Sequence, residues 1–150
     1  MDINAVNYND NKIIDDDETI KNLVDKAVSA RTKSYSPYSN FAVGACVLYE
    51  SGKTYCACNV ENVSYGLSIC AERSAISKAI SENEKTKIKA VAIYSPNQKN
   101  CMPCGACRQW LCEFAQNGEI KIILENDDEK INVVSLDEIF PNSFKITNNY

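Results

Sequence analysis

The chain has 150 residues, 45% of them hydrophobic, which is enough to bury the core of one compact domain. Its formal net charge of -4 and the lack of a Lys/Arg stripe disfavour nucleic acid as a partner. No apolar run approaches the roughly 20 residues of a membrane span, and the first residues lack the pattern of a signal peptide. We therefore expect a cytoplasmic protein with no membrane partner.

Residue usage narrows the chemistry further. The chain contains eight cysteines and no histidine. Catalysis by Ser-His-Asp or Cys-His groups is thereby excluded, and any metal ion must be held by Cys, Asp or Glu. In a reducing compartment, this many cysteines indicates metal binding or buried thiols and not a disulfide framework.

The chain opens with a polar segment. Residues 1–16 are rich in Asn and Asp without periodicity, so we predict a disordered tail followed by one domain over residues 17–150. A helix with regular apolar spacing begins at Asp17, and Asp16 or Asp17 is its candidate N-cap. Runs rich in β-forming residues over 41–49 and 54–60 flank the Ser51-Gly52 turn signal and predict a hairpin.

Alternating elements follow along the rest of the chain. We predict a helix over 70–80 that Ser68 could cap, followed by a strand over 89–94. The next helix begins after Pro103 and ends at a C-cap formed by Asn117-Gly118. Strands over 120–124 and 131–134 then flank a polar turn at 126–128, and a short helix covers 136–140. This order predicts a three-layer α/β/α fold, in which helices cover both faces of a five-stranded mixed sheet.

Three cysteines are placed where connections enter two of these helices. Cys104 and Cys107 are three positions apart and share one face of a helix start, while Cys70 begins the other helix. Three thiolates can hold a tetrahedral zinc ion whose fourth position stays open for water, as in catalytic zinc sites. Glu72 lies about 200° around the helix from Cys70, so we interpret it as a proton-transfer group and not a ligand.

The charge of such a site needs compensation. A zinc ion with three thiolates is net negative, which opposes the acidification of bound water. We expect two sources of positive charge: the two helix N-termini, and Arg73, which could donate a hydrogen bond to a thiolate.

Cys101 suggests an alternative kind of metal site, because Cys101, Cys104 and Cys107 are evenly spaced. An iron–sulfur ligand run has this spacing but continues to a fourth cysteine, and here that position is Leu111. A structural zinc site with four thiolate ligands, including Cys101, is a second alternative, although Pro103 starts the helix after Cys101. The other cysteines are interpreted as small core residues: Cys46, Cys56, Cys58 and Cys112.

Four segments resemble the zinc-dependent cytidine deaminase family in its small, three-cysteine form. They are residues 37–45 (PYSNFAVGA), 59–73 (NVENVSYGLSICAER), 103–109 (PCGACRQ) and 140–144 (FPNSF). The resemblance covers residues 18–146 and implies a homotetramer with one Zn²⁺ per chain, held by Cys70, Cys104 and Cys107.

The resemblance also implies a reaction. Cytidine and deoxycytidine are hydrolysed to uridine and deoxyuridine plus ammonia, a step of pyrimidine salvage. Zinc lowers the pKa of its bound water, the resulting hydroxide attacks C4 of the pyrimidine, and Glu72 carries protons to N3 and then to the departing amine. Cys70 stands where other deaminases have a histidine ligand.

Substrate contacts are implied in the same way. They are Asn59 and Glu61 on the ribose, Phe41 facing the base, the backbone of Ala71 on the substrate amino group, and Val63, Tyr65 and Phe144 at the positions where neighbouring subunits complete each other's sites. Four of these side chains could instead have a purely structural role. Asn59 and Glu61 would then form a polar turn, Phe41 would lie in the strand core, and Phe144 would be a hydrophobic anchor.

Other functions stay open at this stage. A related zinc hydrolase could act on a different small molecule, such as a nucleoside antibiotic or a free base, although Asn59 and Glu61 favour a substrate with a sugar. A non-enzymatic zinc-stabilised module is the alternative from a different class. Acidity and the lack of interleaved aromatic and basic residues disfavour a polynucleotide substrate.

Overall fold

The computed structural model describes residues 16–115, 119–125 and 130–145. Its elements are, in chain order, α1 (Asp17–Arg31), β1 (Gly44–Tyr49), β2 (Thr54–Cys58), a 3-10 turn (Tyr65–Leu67), α2 (Ala71–Ser81), β3 (Ile88–Tyr94), α3 (Gly105–Phe114), β4 (Lys121–Glu125), β5 (Ile131–Ser135) and α4 (Leu136–Ile139). The predictions for the tail before Asp16, the Asn117-Gly118 cap and the turn at 126–128 lie outside these ranges. None of the described helices combines the length and apolarity needed to cross a bilayer.

The five strands form one mixed sheet in the order β2-β1-β3-β4-β5. β1 is antiparallel to both β2 and β3, and β4 is antiparallel to β5. β3 and β4 are parallel, so the chain must cross over between them, and α3 forms that connection. The predicted five-stranded mixed sheet is confirmed.

Helices cover both faces of this sheet. All six positions of β1 are buried because its side chains alternate between two hydrophobic clusters. Cys46 and Leu48 pack beneath α1, against residues that include Leu23 and Ala27. The opposite face packs against α2, α3 and α4, which confirms the predicted three-layer arrangement.

α1 begins and packs as its sequence predicts. Asp16 is the N-cap, and its Oδ1 accepts a hydrogen bond of 3.0 Å from the backbone N–H of Glu18. The helix then crosses β1 at Gly44, where an added Cβ would lie 2.0 Å from the carbonyl oxygen of Ala27. A larger residue at this crossing would force α1 away from the sheet.

Two predicted boundaries are wrong for local reasons. The first strand begins at Gly44 and not at Phe41, because the N–H groups of residues 41–43 donate to the side chains of Ser39, Asn97 and Asn59. Ser68 does not cap α2. Its Oγ accepts from the Asn62 N–H, and Cys70 is the N-cap residue.

The interpretation of the remaining cysteines also needs correction. Cys46 and Cys56 are directly opposite in the β1/β2 ladder, and the structure joins them in a disulfide with Cα atoms 4.0 Å apart. The register of the hairpin brings the two thiols together, and the sequence pattern alone does not give that register. The Cys58 thiol donates to the carbonyl of Lys33 at 3.1 Å, whereas Cys112 is a buried core residue as predicted.

Candidate metal centre

Three thiols meet between the starts of α2 and α3. The Sγ atoms of Cys70, Cys104 and Cys107 all lie within 4.8 Å of one another. The Cys70 and Cys104 sulfurs are 3.8 Å apart. Two thiolates bound to one tetrahedral zinc ion at ~2.3 Å would be separated by about 3.8 Å, so this donor set fits zinc.

Both helices present their N-termini to these sulfurs. Cys70 is the N-cap of α2 and Cys104 the N-cap of α3, while Cys107 is buried in the first turn of α3. Neither the Cys70 nor the Cys104 side chain makes a capping hydrogen bond to the first backbone N–H groups of its helix. These N–H groups and the helix dipoles therefore supply the positive potential that was predicted for a negatively charged thiolate cluster.

Arg73 adds a full positive charge. Its Nη2 lies 3.5 Å from the Cys70 sulfur and 3.4 Å from the Ser68 carbonyl oxygen. A hydrogen bond from the Cys107 thiol and the guanidinium of Arg73 lower the pKa of Cys70 to about 5. The same hydrogen bond, together with burial, raises the pKa of Cys107. Cys70 is thus a thiolate at neutral pH even before a cation binds, which is the form that ligates metal.

Glu72 is the buried acid of the site. It is the second residue of α2 and only 4% exposed, and burial raises the pKa of its carboxyl to about 7. A hydrogen bond from the backbone N–H of Glu72 itself acts in the opposite direction. A bound cation would lower this pKa because positive charge favours the carboxylate. A group with this environment can both take up and release a proton near neutral pH.

Cys101 does not join the three sulfurs. Within the described ranges, the metal-capable group consists of Cys70, Cys104 and Cys107 alone. Cys101 packs against the hydrophobic cluster on the α2/α3 face of the sheet, and burial raises the pKa of its thiol to about 11. The structure therefore supports neither the iron–sulfur alternative nor the closed four-thiolate site.

The two residues predicted to bind a ribose hold a loop in this structure. The Glu61 carboxylate accepts from the Tyr38 N–H at 2.9 Å and from the N–H and hydroxyl of Ser39, and the Ser39 hydroxyl lowers its pKa. The Asn59 amide oxygen accepts from the Val43 N–H at 2.9 Å. These contacts fix the segment 38–43 against the segment 59–61.

The other predicted contact residues divide into two groups. Ala71 is fully buried at the start of α2, between Cys70 and Glu72, and Phe41 is half-buried, with its carbonyl accepting from the Asn59 amide at 2.8 Å. Val63, Tyr65 and Phe144 are each more than 70% exposed. Among them, the Tyr65 ring contacts the Tyr38 ring at a centroid distance of 5.9 Å.

Two further residues near the thiols belong to segment 103–109 and were not predicted to have a role of their own. Arg108 and Gln109 directly follow Cys107, and both donate side-chain hydrogen bonds to distant backbone carbonyls. The only sequence indication that they matter is their place in the PCGACRQ segment that resembles the family, because hydrogen bonds from side chains to distant carbonyls follow no spacing rule.

Taken as chemistry, an open three-thiol metal site beside a buried acid defines a zinc-dependent hydrolase. Comparison with known proteins narrows this class. Residues 17–123 match the family model described as the cytidine and deoxycytidylate deaminase zinc-binding region. The cytidine deaminase of Sporosarcina psychrophila is 38% identical over 125 residues, which are 83% of this chain and 90% of that protein.

Solved structures agree with this result. Cytidine deaminase from Burkholderia pseudomallei superimposes with a TM-score of 0.76 at 37% identity, covering 83% of this chain and 98% of that one. The Mycobacterium tuberculosis enzyme gives a TM-score of 0.73 at 36% identity, with coverages of 88% and 100%. The chain belongs to the family of zinc-binding cytidine and deoxycytidylate deaminases, and its cofactor is one zinc ion per chain.

Proposed function

We propose that this protein is a zinc-dependent hydrolytic deaminase that converts cytidine and deoxycytidine to uridine and deoxyuridine plus ammonia in pyrimidine salvage. The observation that carries the proposal is the buried carboxyl of Glu72 beside three thiols that fit zinc and leave a coordination position open. Relatives over most of the chain that bear the name cytidine deaminase support the substrate class.

Each protein group has a defined part in this reaction. Cys70, Cys104 and Cys107 hold the zinc ion, with Arg73 offsetting the thiolate charge. When bound, zinc supplies the Lewis acidity that makes water a nucleophile near neutral pH. Burial excludes bulk solvent from Glu72, so protons at this position pass through its carboxyl.

Glu72 moves the protons that balance the reaction. It accepts a proton from the attacking water and delivers it to N3 of the pyrimidine while a C4–O bond forms. It then takes the remaining water proton from the hydroxyl now on C4 and delivers it to the amino group, so that C4=O forms as the C4–N bond breaks and ammonia leaves. Burial raises the pKa of the Glu72 carboxyl and a bound cation lowers it, and these opposed effects suit a group that both accepts and donates protons.

The sugar is recognised by Asn59 and Glu61. The Ser39 hydroxyl, together with the Tyr38 and Ser39 N–H groups, holds the Glu61 carboxylate in one orientation and lowers its pKa, which suits an acceptor for ribose hydroxyls. The same negative charge disfavours a 5′-phosphate, so we assign a nucleoside and not a nucleotide. Phe41 packs against the base, and the Ala71 backbone contacts its amino group.

A neighbouring copy of the chain completes each site. Val63, Tyr65 and Phe144 are 75%, 74% and 73% exposed, and large exposed apolar side chains in one region are typical of an interface. We propose a homotetramer in which these residues contact the next subunit's substrate. We also propose a cytoplasmic location, since the three ligand thiols have to stay reduced.

The reaction can be tested directly with the zinc-loaded protein. Incubation with cytidine and deoxycytidine is expected to change the ultraviolet absorbance and to release one ammonia per nucleoside, with little turnover of cytosine or deoxycytidylate. Cys107→Ser is expected to lose zinc and activity, whereas Cys112→Ser, a buried thiol of the same helix, retains both. Absence of turnover with every one of these compounds would favour the non-enzymatic zinc module.

The sugar contact has its own test. Glu61→Ala is expected to raise KM for both nucleosides while zinc content stays at one per chain. Loss of zinc, or an unchanged KM at full zinc content, would contradict the assignment of Glu61 to the sugar.

A further inference from the structure

Arg108 and Gln109 tie three separate parts of the chain together. Arg108 Nε donates to the Pro103 carbonyl at 2.8 Å, and its Nη1 donates to the Ile139 carbonyl at 2.6 Å. Gln109 Nε2 donates to the Phe144 carbonyl at 3.0 Å. Neither side chain belongs to the thiol cluster.

The partners of Arg108 explain what it holds. Pro103 is fully buried and immediately precedes Cys104, while Ile139 is the last residue of α4. Arg108 also donates its backbone N–H to the Cys104 carbonyl at 2.9 Å. A guanidinium has donors on separate nitrogens in a rigid plane, so one side chain can bind both carbonyls. Cys104 itself is exposed, so burial of its side chain does little to hold it in place.

Gln109 acts on the segment that follows α4. Phe144 has an exposed side chain, yet its backbone carbonyl is bound by the Gln109 amide. A side chain that finds no packing in its own chain keeps a defined direction only if its backbone is held. The Gln109 bond thus limits the orientations from which the Phe144 ring can reach another surface.

We propose that Arg108 and Gln109 are positioning residues with separate effects: Arg108 fixes Cys104 for metal retention, and Gln109 fixes Phe144 for substrate binding. The Gln109 part rests on the proposed function, because it assumes that Phe144 completes a neighbouring subunit's nucleoside site. The Arg108 part concerns metal retention and can be measured without substrate.

Zinc release to a colorimetric chelator tests Arg108. Arg108→Lys keeps the charge but reaches one carbonyl, and Arg108→Met keeps the aliphatic packing without either donor. Both are expected to release zinc roughly 10-fold or more faster than wild type, with Met at least as fast as Lys, since loss of groups that support ligands costs about 10–100-fold in metal affinity. Glu113→Gln, an exposed change on α3, is the control. Wild-type release rates in both Arg108 variants would overturn this assignment.

Steady-state kinetics test Gln109. Gln109→Met has similar length and no donor, so KM for cytidine is expected to rise roughly 10-fold with kcat and zinc content unchanged. Gln109→Lys restores an N–H donor and is expected to bring KM back toward wild type. An unchanged KM in Gln109→Met, or a fall in kcat with KM constant, would overturn the assignment. An inactive wild-type protein would instead count against the proposed function and leave the Arg108 result intact.

Discussion

Two buried glutamates lie near opposite ends of α2, and their protonation behaviour is opposite. Glu72 in the first turn is 4% exposed, and Glu84, three residues beyond the end of the helix, is 6% exposed. Burial raises the pKa of Glu72 to about 7. Hydrogen bonds from Thr86, followed by one from Ser51, lower the pKa of Glu84 to about 2.

This difference has two causes: burial dominates the pKa of Glu72, whereas hydrogen-bond donors dominate the pKa of Glu84. One oxygen of Glu84 accepts from the Lys85 N–H and from the N–H and hydroxyl of Thr86, and the other accepts from the hydroxyls of Ser51 and Tyr55. At the other end, the N–H of Glu72 itself offsets only part of the effect of burial on the pKa. A buried carboxyl with many donors is held as a structural anion, and one with few donors can exchange protons.

The largest effect should come from Glu72→Gln. This change removes the proton carrier, so kcat for cytidine is expected to fall by about 10²–10⁴-fold, the usual contribution of general acid–base catalysis. Burial of the ionised Glu72 carboxylate destabilises the folded protein, so the unfolding midpoint of the metal-free variant at pH 8 should not be lower than that of wild type. Glu82→Gln, at the exposed C-cap of α2, is the control, and a Glu72→Gln enzyme with wild-type kcat would contradict the account.

The second effect concerns Arg73 at the same end of the helix. Arg73→Gln removes the positive charge beside Cys70, and zinc affinity is expected to fall by about 10–100-fold. Competition with a chelator of known affinity measures it, with Lys78→Gln on the exposed face of α2 as the matched charge change. Equal zinc affinity in the two variants would show that the helix N-termini alone compensate the negative charge of the thiolates.

Glu84→Gln should affect stability and leave turnover unchanged. The pKa of Glu84 is lowered in the folded protein, from 4.5 to about 2, so its ionised form stabilises the fold. That contribution is fully present above about pH 4.5 and is lost as the pH falls toward 2. Thermal midpoints of wild type and variant are therefore expected to differ by several degrees at pH 7 and to converge near pH 2. A constant difference at every pH would contradict the assigned pKa.

The smallest effect should come from Tyr55→Phe. Its hydroxyl lies 3.4 Å from the Glu84 carboxylate, at the long end of hydrogen-bond distances. The unfolding midpoint is expected to fall less than in Glu84→Gln, and kcat should not change. A larger loss of stability than in Glu84→Gln would show that the tyrosine, and not the carboxylate, organises this cluster.

The sequence predicted the thiol cluster and Glu72 because both ligand motifs lie at helix starts and because they resemble the motifs of a known family. Cys104 and Cys107 are three apart at a helix start, and the motif that contains Cys70 begins another. The order of elements likewise predicted one mixed sheet covered on both faces. These inferences depend on periodicity and connection order, which are properties of the sequence alone.

What the sequence did not predict depends on contacts between distant residues. Two of the donors to Glu84 are Ser51 and Tyr55, and Cys46 meets Cys56 only through the hairpin register. The carbonyls that Arg108 and Gln109 bind lie 31 and 35 residues away. None of these separations follows from a local period, so tertiary structure was needed to find them.

The coordination of the metal is the most direct test of the central claim. X-ray absorption at the zinc edge of the as-purified protein is expected to show three sulfur ligands at about 2.3 Å and one lighter ligand at about 2.0 Å. Such a site has an open position beside Glu72. Four sulfur ligands, with Cys101 as the fourth, would contradict the account because no position would remain for water.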